Sequence, residues 1–274
     1  MAMEYVTVQG VEVPKLGLGT WRLTGDDCRN AVQTALDLGY RHVDTAQAYG
    51  NERQVGAAIA SSDVDREDVF LATKLEGGNR DYDGVLRSTD ESLAKLRTDY
   101  LDLLLIHWPN RRVPTRETLD AMAELVDDGK VKHVGVSNFK RDALDEARTQ
   151  ADVPIFTDQV QFHPYWDQTD LLDYCAIHDV LLTAYSPLGH GGVLDDPVLA
   201  EVGDRYDKSP AQVALRWATQ HDPVATIPKA TSPEHLEANL AVFDFELTDA
   251  EMERISQPSK LRTLSGFVKS RAPL

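Results

Sequence analysis

Apolar residues recur along this chain in short runs, each followed by a stretch with helical spacing. A hairpin opens the pattern: Tyr5–Val8 and Val11–Val13 flank a Gln-Gly turn. Strands are then predicted over 16–19, 41–44, 69–73, 101–106, 132–136, 155–160, 180–185 and 224–228. The first helical stretch, 26–38, stops at Gly39. The second starts after Asn51, read as its cap, and runs through Val55, Ala58 and Ile59. Further helices are predicted over 83–96, 115–126, 140–149, 168–178, 209–220 and 233–242. Strands alternating with helices favour a parallel sheet under helical cover. Eight such units predict an α/β fold, a closed (β/α)8 TIM barrel with an N-terminal β-hairpin. That fold needs ~250 residues, and the chain has 274. A doubly wound open sheet is the competing arrangement, but its Gly-rich dinucleotide fingerprint is missing. Gly17-Leu18-Gly19 is too short for it, and Gly189-His190-Gly191-Gly192 does not lead straight into a helix. No linker interrupts the pattern, so residues 1–274 are read as one domain.

Composition narrows the setting. No run of about 18 apolar residues occurs, and the first residues lack a charged-then-apolar signal pattern. A cytoplasmic protein is expected. Cys28 and Cys175 fall in helical stretches at a spacing that suggests neither a zinc site nor a redox pair, so two reduced, buried thiols are expected. The net charge of −17 argues against nucleic acid as a partner. Asp outnumbers Glu 30 to 15, and the acidic charge is spread over the whole length. Such a shell suggests a salt-adapted protein. A monomer is expected, since no apolar stripe is surplus to the barrel.

In a (β/α)8 barrel the chemistry sits where the strands end. The polar residues at those exits are Asp44, Lys74, His107, Ser137-Asn138, Gln159, Tyr185-Ser186 and Lys229. The first intervals are 30, 33 and 30 residues, about one βα unit each, so these side chains should meet at one rim. Each alone has an ordinary reading: a loop cap, a strand end, a core histidine or, for Tyr49, a rim aromatic. Together they make coherent chemistry. A free tyrosine has a pKa of ~10. A lysine ammonium about 4 Å away would favour phenolate by roughly 4 kcal/mol at an effective dielectric near 20, about three pKa units before burial acts in the other direction. Asp44 could hold Lys74 charged, and His107 could orient a carbonyl oxygen or relay a proton. No nucleophile beside a base and no dense metal-ligand cluster is evident.

At this point the sequence resembles the aldo-keto reductases nearly end to end. "GLGTW" (17–21), "DTAQAYGNE" (44–52), "TK" (73–74), "IHWP" (106–109), "GVSN" (135–138), "YSPLG" (185–189) and "IPKA" (227–230) occur in the family's order. The short loops resemble the compact prokaryotic members often described as 2,5-diketo-gluconate reductases. The resemblance implies NAD(P)H-dependent reduction of aldehydes and ketones, small dicarbonyls or keto-sugar acids, with NADP(H) favoured and NAD(H) possible. It implies Tyr49 as general acid, completed by Asp44, Lys74 and His107. It further implies cofactor contacts from Gly19, Thr20, Ser137, Asn138, Gln159, Tyr185, Ser186, Leu188, Lys229, Thr231, His235 and Asn239, and substrate walls from Trp21 and Trp108.

Departures stand at the end that would meet the 2′-phosphate. Many relatives read "IPKS" with an arginine five residues after the serine; here those positions are Ala230 and His235. Arg111-Arg112 could meet an anionic substrate or be solvated charge, and Phe267 in the tail could reach the pocket or pack the tail. His163 is expected to fix a loop, and His42, His133, His178, His190 and His221 to be structural or exposed. Asp195-Asp196 is read as a solvated acidic loop rather than a cation site. Two other classes were weighed. A cofactor-binding regulatory module would not need the complete tetrad. A lyase or isomerase on the same barrel would want an anion-binding glycine loop late in the chain, and Gly189–Gly192 reads better as part of "YSPLG".

Overall fold

In the computed structural model, which describes residues 3–110, 112–166 and 168–257, β1 (Tyr5–Val8) pairs antiparallel with β2 (Val11–Pro14). Gln9 and Gly10 both take positive φ (49° and 78°), the turn geometry that matches the twist of two short strands. Eight parallel strands follow in chain order. They are β3 (Leu18–Gly19), β4 (His42–Asp44), β5 (Phe70–Leu75), β6 (Leu101–Ile106), β7 (Val131–Ser137), β8 (Ile155–Gln161), β9 (Leu181–Tyr185) and β10 (Val224–Thr226). A parallel bridge between Leu16 and Thr226 joins the last strand to the first. The Gly17 N–H donates to Thr226 O at 2.8 Å and the Gly19 N–H to Pro228 O at 3.1 Å, so the sheet closes on itself. The seam is tight. A Cβ on Gly19 would stand 2.5 Å from Ile227 O, a contact only glycine avoids.

Ten helices cover the barrel among the described residues. They are α1 (Gly25–Asp37), α2 (Glu52–Ala60), α3 (Tyr82–Leu96), α4 (Thr115–Asp127), α5 (Arg141–Gln150), α6 (Thr169–Ile177), α7 (Pro197–Asp204), α8 (Pro210–Gln220), α9 (Pro233–Leu240) and α10 (Asp249–Ser256). The pattern predicted eight of them; α7 and α10 are additions. Of Asp195-Asp196, read as a solvated acidic loop, Asp195 is exposed in a turn as expected, whereas Asp196 is corrected by α7. Asp196 is 5% exposed, and its Oδ1 accepts the N–H groups of Val198 and Leu199 to cap that helix. Asn51 is also corrected: it stands at the N-cap position of α2 but makes no side-chain cap. No described helix is long and apolar enough to cross a membrane. Arg111, Phe267 and the tail from 258 lie outside the described residues.

Alternation along the strands builds two cores. Leu104 and Ile106 face the helices, whereas Leu103 and Leu105 face inward with Phe70, Phe156 and Leu181. Val6, Val8 and Val13 of the hairpin join this inner cluster. The hairpin therefore plugs the end where the strands begin. The opposite end, where they finish, is left for the site. Cys28 and Cys175 are buried and unpaired in disulfides, and burial pushes the Cys28 thiol up to about 11.

Candidate active site

The end of β4 turns into a short 3-10 segment, Gln47–Tyr49, before α2 begins. Polar side chains hold this turn. Gln47 accepts from the Glu76 N–H at 2.8 Å and donates to Ser92 Oγ at 3.1 Å. Thr45 Oγ1 donates to Asn51 Oδ1 at 2.7 Å, and Asn51 Nδ2 donates to Thr20 O at 2.8 Å and Leu23 O at 2.9 Å. Asn51 thus ties the loop after β3 to the Tyr49 turn. That role displaces helix capping.

The turn delivers Tyr49 to Lys74. Lys74 is 1% exposed; its ammonium donates to Asp44 Oδ1, to Thr45 O at 2.8 Å and to Tyr49 Oη at 3.4 Å. Asp44 is held from its other oxygen by Gln159 Nε2 at 2.8 Å. The His107 ring stands edge-on to the Tyr49 ring, with centroids 5.8 Å apart. Burial is the largest influence on Lys74 and favours its neutral form, but Asp44 and Tyr49 together outweigh it and the ammonium pKa is raised. For Tyr49 burial is the largest influence and raises the phenol, against the pull of Lys74. The two opposed influences left open by the sequence are thus resolved: desolvation exceeds the ammonium's attraction. Burial, then Lys74, brings His107 down to about 4. The imidazole is neutral at pH 7, so it can offer one N–H donor rather than a charge.

Beside this group, the ends of β7, β8 and β9 interlock. Ser137 Oγ donates to Gln159 O at 2.8 Å. Asn138 Nδ2 donates to Ser137 Oγ at 2.9 Å and to His107 O at 3.1 Å, and Tyr185 Oη donates to Asn138 Oδ1 at 2.8 Å. Asn138 and Ser186 hold positive φ (64° and 47°), strained conformations of the kind that gather at functional sites.

All these exits open on one cavity of about 650 Å³. Its walls include Tyr49, His107, Gln159 and Tyr185, with Trp21 and Trp108 exposed at the rim. Gly19, Ser137, Asn138, Ser186, Leu188 and Lys229 also reach it, as expected. Four other expected contacts lie elsewhere. Thr20 is fully buried, its hydroxyl donating to Asp44 O at 3.0 Å, which makes it a brace for Asp44. Thr231 and His235 are exposed beyond Lys229, and Asn239 is buried beside Tyr40. Two polar side chains on the wall escaped the sequence reading. His190 meets Trp21 edge-on at 5.9 Å across the mouth, although it was expected to be structural or exposed. Gln161 follows Gln159 on β8 at the period that points both inward, which was the available signal.

Known proteins are similar to this chain in sequence and fold. The model of the Aldo/keto reductase family matches residues 15–260. A glyoxal reductase of Bacillus subtilis (strain 168) is 40% identical over 252 residues, covering 92% of this chain and 91% of its own. A crystal structure named for a 2,5-diketo-D-gluconic acid reductase B superposes with a TM-score of 0.91 at 45% identity, covering 93% of this chain and 91% of that one. An aldo-keto reductase complexed with NADPH gives a TM-score of 0.88 at 29% identity, over 93% and 87% of the two chains. With the closed barrel and the matched family model together, this chain belongs to the aldo/keto reductase family.

Proposed function

We propose that this protein is an NADPH-preferring reductase of small aldehydes, dicarbonyls and keto acids in which Tyr49 protonates the carbonyl oxygen. One observation carries the reading. The Tyr49 hydroxyl stands 3.4 Å from an ammonium that Asp44 keeps charged, on the wall of a cavity of about 650 Å³. When bound, a reduced nicotinamide supplies hydride. The residues present fit such a group. Gln159 and Asn138 carry amide oxygens that can accept from a carboxamide, and Tyr185 offers an aromatic ring.

The side chains divide the work. A carbonyl that accepts hydride becomes an alkoxide, a stronger base than phenolate, so the Tyr49 proton moves downhill even from a raised pKa. Lys74 stabilises the phenolate left behind. Neutral His107 directs the carbonyl oxygen toward Tyr49. Trp21 and Trp108 wall the substrate. The glyoxal reductase and the 2,5-diketo-D-gluconic acid reductase among its relatives support small dicarbonyls and keto-sugar acids as substrates. The NADPH-complexed relative and Lys229 support NADPH. With Ala230 and His235 in place of the family's phosphate contacts, NADH remains usable.

The test is absorbance at 340 nm with methylglyoxal in high KCl, run with NADPH and NADH, for wild type and Tyr49→Phe. Cofactor oxidation by wild type that collapses in the variant is the expected result. Equal rates in the two proteins would remove Tyr49 from the proposal.

A further inference from the structure

A second hollow of about 640 Å³ lies beside the reaction cavity and shares four of its walls: Trp108, Asn138, Gln161 and Tyr185. Its remaining boundary includes Lys140, Arg141, Trp166 and Gln168, with one carboxylate, Asp170, on the same wall. The charges there differ from those elsewhere on the molecule. Eight lysines fall among the described residues. Six of them pair with carboxylates: Lys15 with Asp222, Lys74 with Asp44, Lys95 with Glu52, Lys130 with Asp90, Lys132 with Asp102 and Lys208 with Asp244. Among the described residues, Lys140 and Lys229 have no such partner. In a chain with 45 acidic and 28 basic residues, carboxylates are abundant, so two exposed lysines without one at the same end of the barrel are open to anions from outside. Lys229 borders the reaction cavity, where the cofactor reading already uses it. Lys140 borders the second hollow, and nothing yet uses it.

Two further features suit an anion. Arg141 meets Asp170 at 3.3 Å, but the partners are 54% and 75% exposed, so the pair is screened and the guanidinium can turn to a ligand. Gln161 supplies a donor on the shared wall. His163 Nδ1 accepts the Tyr165 N–H at 3.3 Å, and burial brings the ring's pKa down to about 4, so the neutral ring carries its proton on Nε2. The Gln161 amide group 2.9 Å from Nε2 must then be its oxygen, which leaves the NH2 as a donor between the hollows.

We propose that the second hollow is a subsite for the carboxylate at the far end of a linear carbonyl substrate, with Lys140 supplying the charge, Arg141 a second cation and Gln161 a hydrogen bond along the way. Trp108 and Trp166 flank the intervening carbons. This inference rests on the carbonyl-reductase reading and deepens it: the preferred substrate is an oxo acid rather than a neutral aldehyde.

The experiment compares 6-oxohexanoate with its methyl ester, which differ only in the terminal charge, using full-length wild type, Lys140→Gln, Arg141→Gln and the double variant. In wild type kcat/KM favours the acid. In Lys140→Gln the acid-to-ester ratio falls by about tenfold, as loss of a charge-assisted contact requires, with the change in KM. A ratio that is the same in wild type and the double variant overturns the subsite. Hexanedioate binding, read by tryptophan fluorescence, separates the two readings. If wild type turns over neither substrate, the reductase reading fails and this titration decides the subsite alone. Saturable quenching weakened in Lys140→Gln supports the subsite, and identical curves overturn it.

Discussion

Replacing Lys74 by Met separates the two things its charge does. The first is chemical. At 3.4 Å from Tyr49 Oη, the ammonium favours phenolate by about 5 kcal/mol at an effective dielectric near 20. That equals between three and four pKa units at ~1.4 kcal/mol per unit. Burial already raises the phenol, and without Lys74 nothing of comparable size opposes it. Turnover should fall by at least about 100-fold, the lower range for losing a positioned general acid. The second is structural. Asp44 is 2% exposed, and Lys74→Met leaves its carboxylate with Gln159 as its side-chain donor. An unpaired buried charge costs roughly 3–5 kcal/mol. For a chain of this size that lowers the melting temperature by on the order of 10 °C.

The double variant Asp44→Asn with Lys74→Met removes both charges. It should recover most of the melting temperature and none of the turnover. Thermal melts beside steady-state kinetics on both proteins decide the matter. If Lys74→Met keeps turnover within about tenfold of wild type, or the double variant recovers activity together with stability, the assignment of Lys74 as the phenolate's partner is wrong.

Asp158 is fully buried on β8; burial raises its pKa well above the usual range, with the backbone N–H of Phe139 opposing. A raised folded pKa gives stability that is complete below the unfolded value of ~3.9 and declines as pH rises toward the folded one. Asp158→Asn should therefore match wild type in denaturant melts near pH 4 and exceed it at pH 7.5; an equal gap at both would show that the carboxyl does not titrate on folding. His235→Arg should tighten NADPH more than NADH in fluorescence titrations, because a planar guanidinium grips a phosphate through paired N–H donors that an imidazole ring does not offer; equal tightening would place His235 away from the 2′-phosphate. The charge of −17 predicts a melting temperature that rises as KCl goes from millimolar to molar, and a flat or falling curve would refute salt adaptation.

The βα rhythm made the barrel legible, because strands buried on both faces read as plain apolar runs and each return to the rim takes about thirty residues. Asp44, Lys74 and His107 could therefore be placed at one mouth before any contact was known. What escaped depends on short-range chemistry or on depth. The eight-residue α7 begins at Asp196-Pro197, a pair that reads equally well as an acidic loop until Tyr165 is seen to donate to Asp196 at 2.5 Å. The eight-residue α10 was announced by its Thr248–Glu251 capping box, a signal present but passed over. Asn51 carries a capping side chain into a capping position and then bonds Thr20 and Leu23 instead, a choice settled by the loop folded above it. The phenol's direction of shift needed burial and charge weighed together, and only the fold supplies the burial.

In the proposed mechanism, that raised phenol bears on how the site avoids wasted proton transfer. With His107 near 4 and Tyr49 above its usual value, these two donors are neutral at pH 7, and the cation beside them, Lys74, is locked to Asp44. Such a pair does not protonate a resting carbonyl, whose oxygen is a far weaker base than phenolate. Proton transfer becomes favourable only as the oxygen gains negative charge, when Lys74 is already in place to accept a phenolate neighbour. The polar residues of the 44–52 segment serve that timing without touching a substrate. Gln47, Thr45 and Asn51 fix the turn, and the turn fixes the 3.4 Å between Lys74 and Tyr49 on which the selectivity for the developing alkoxide depends.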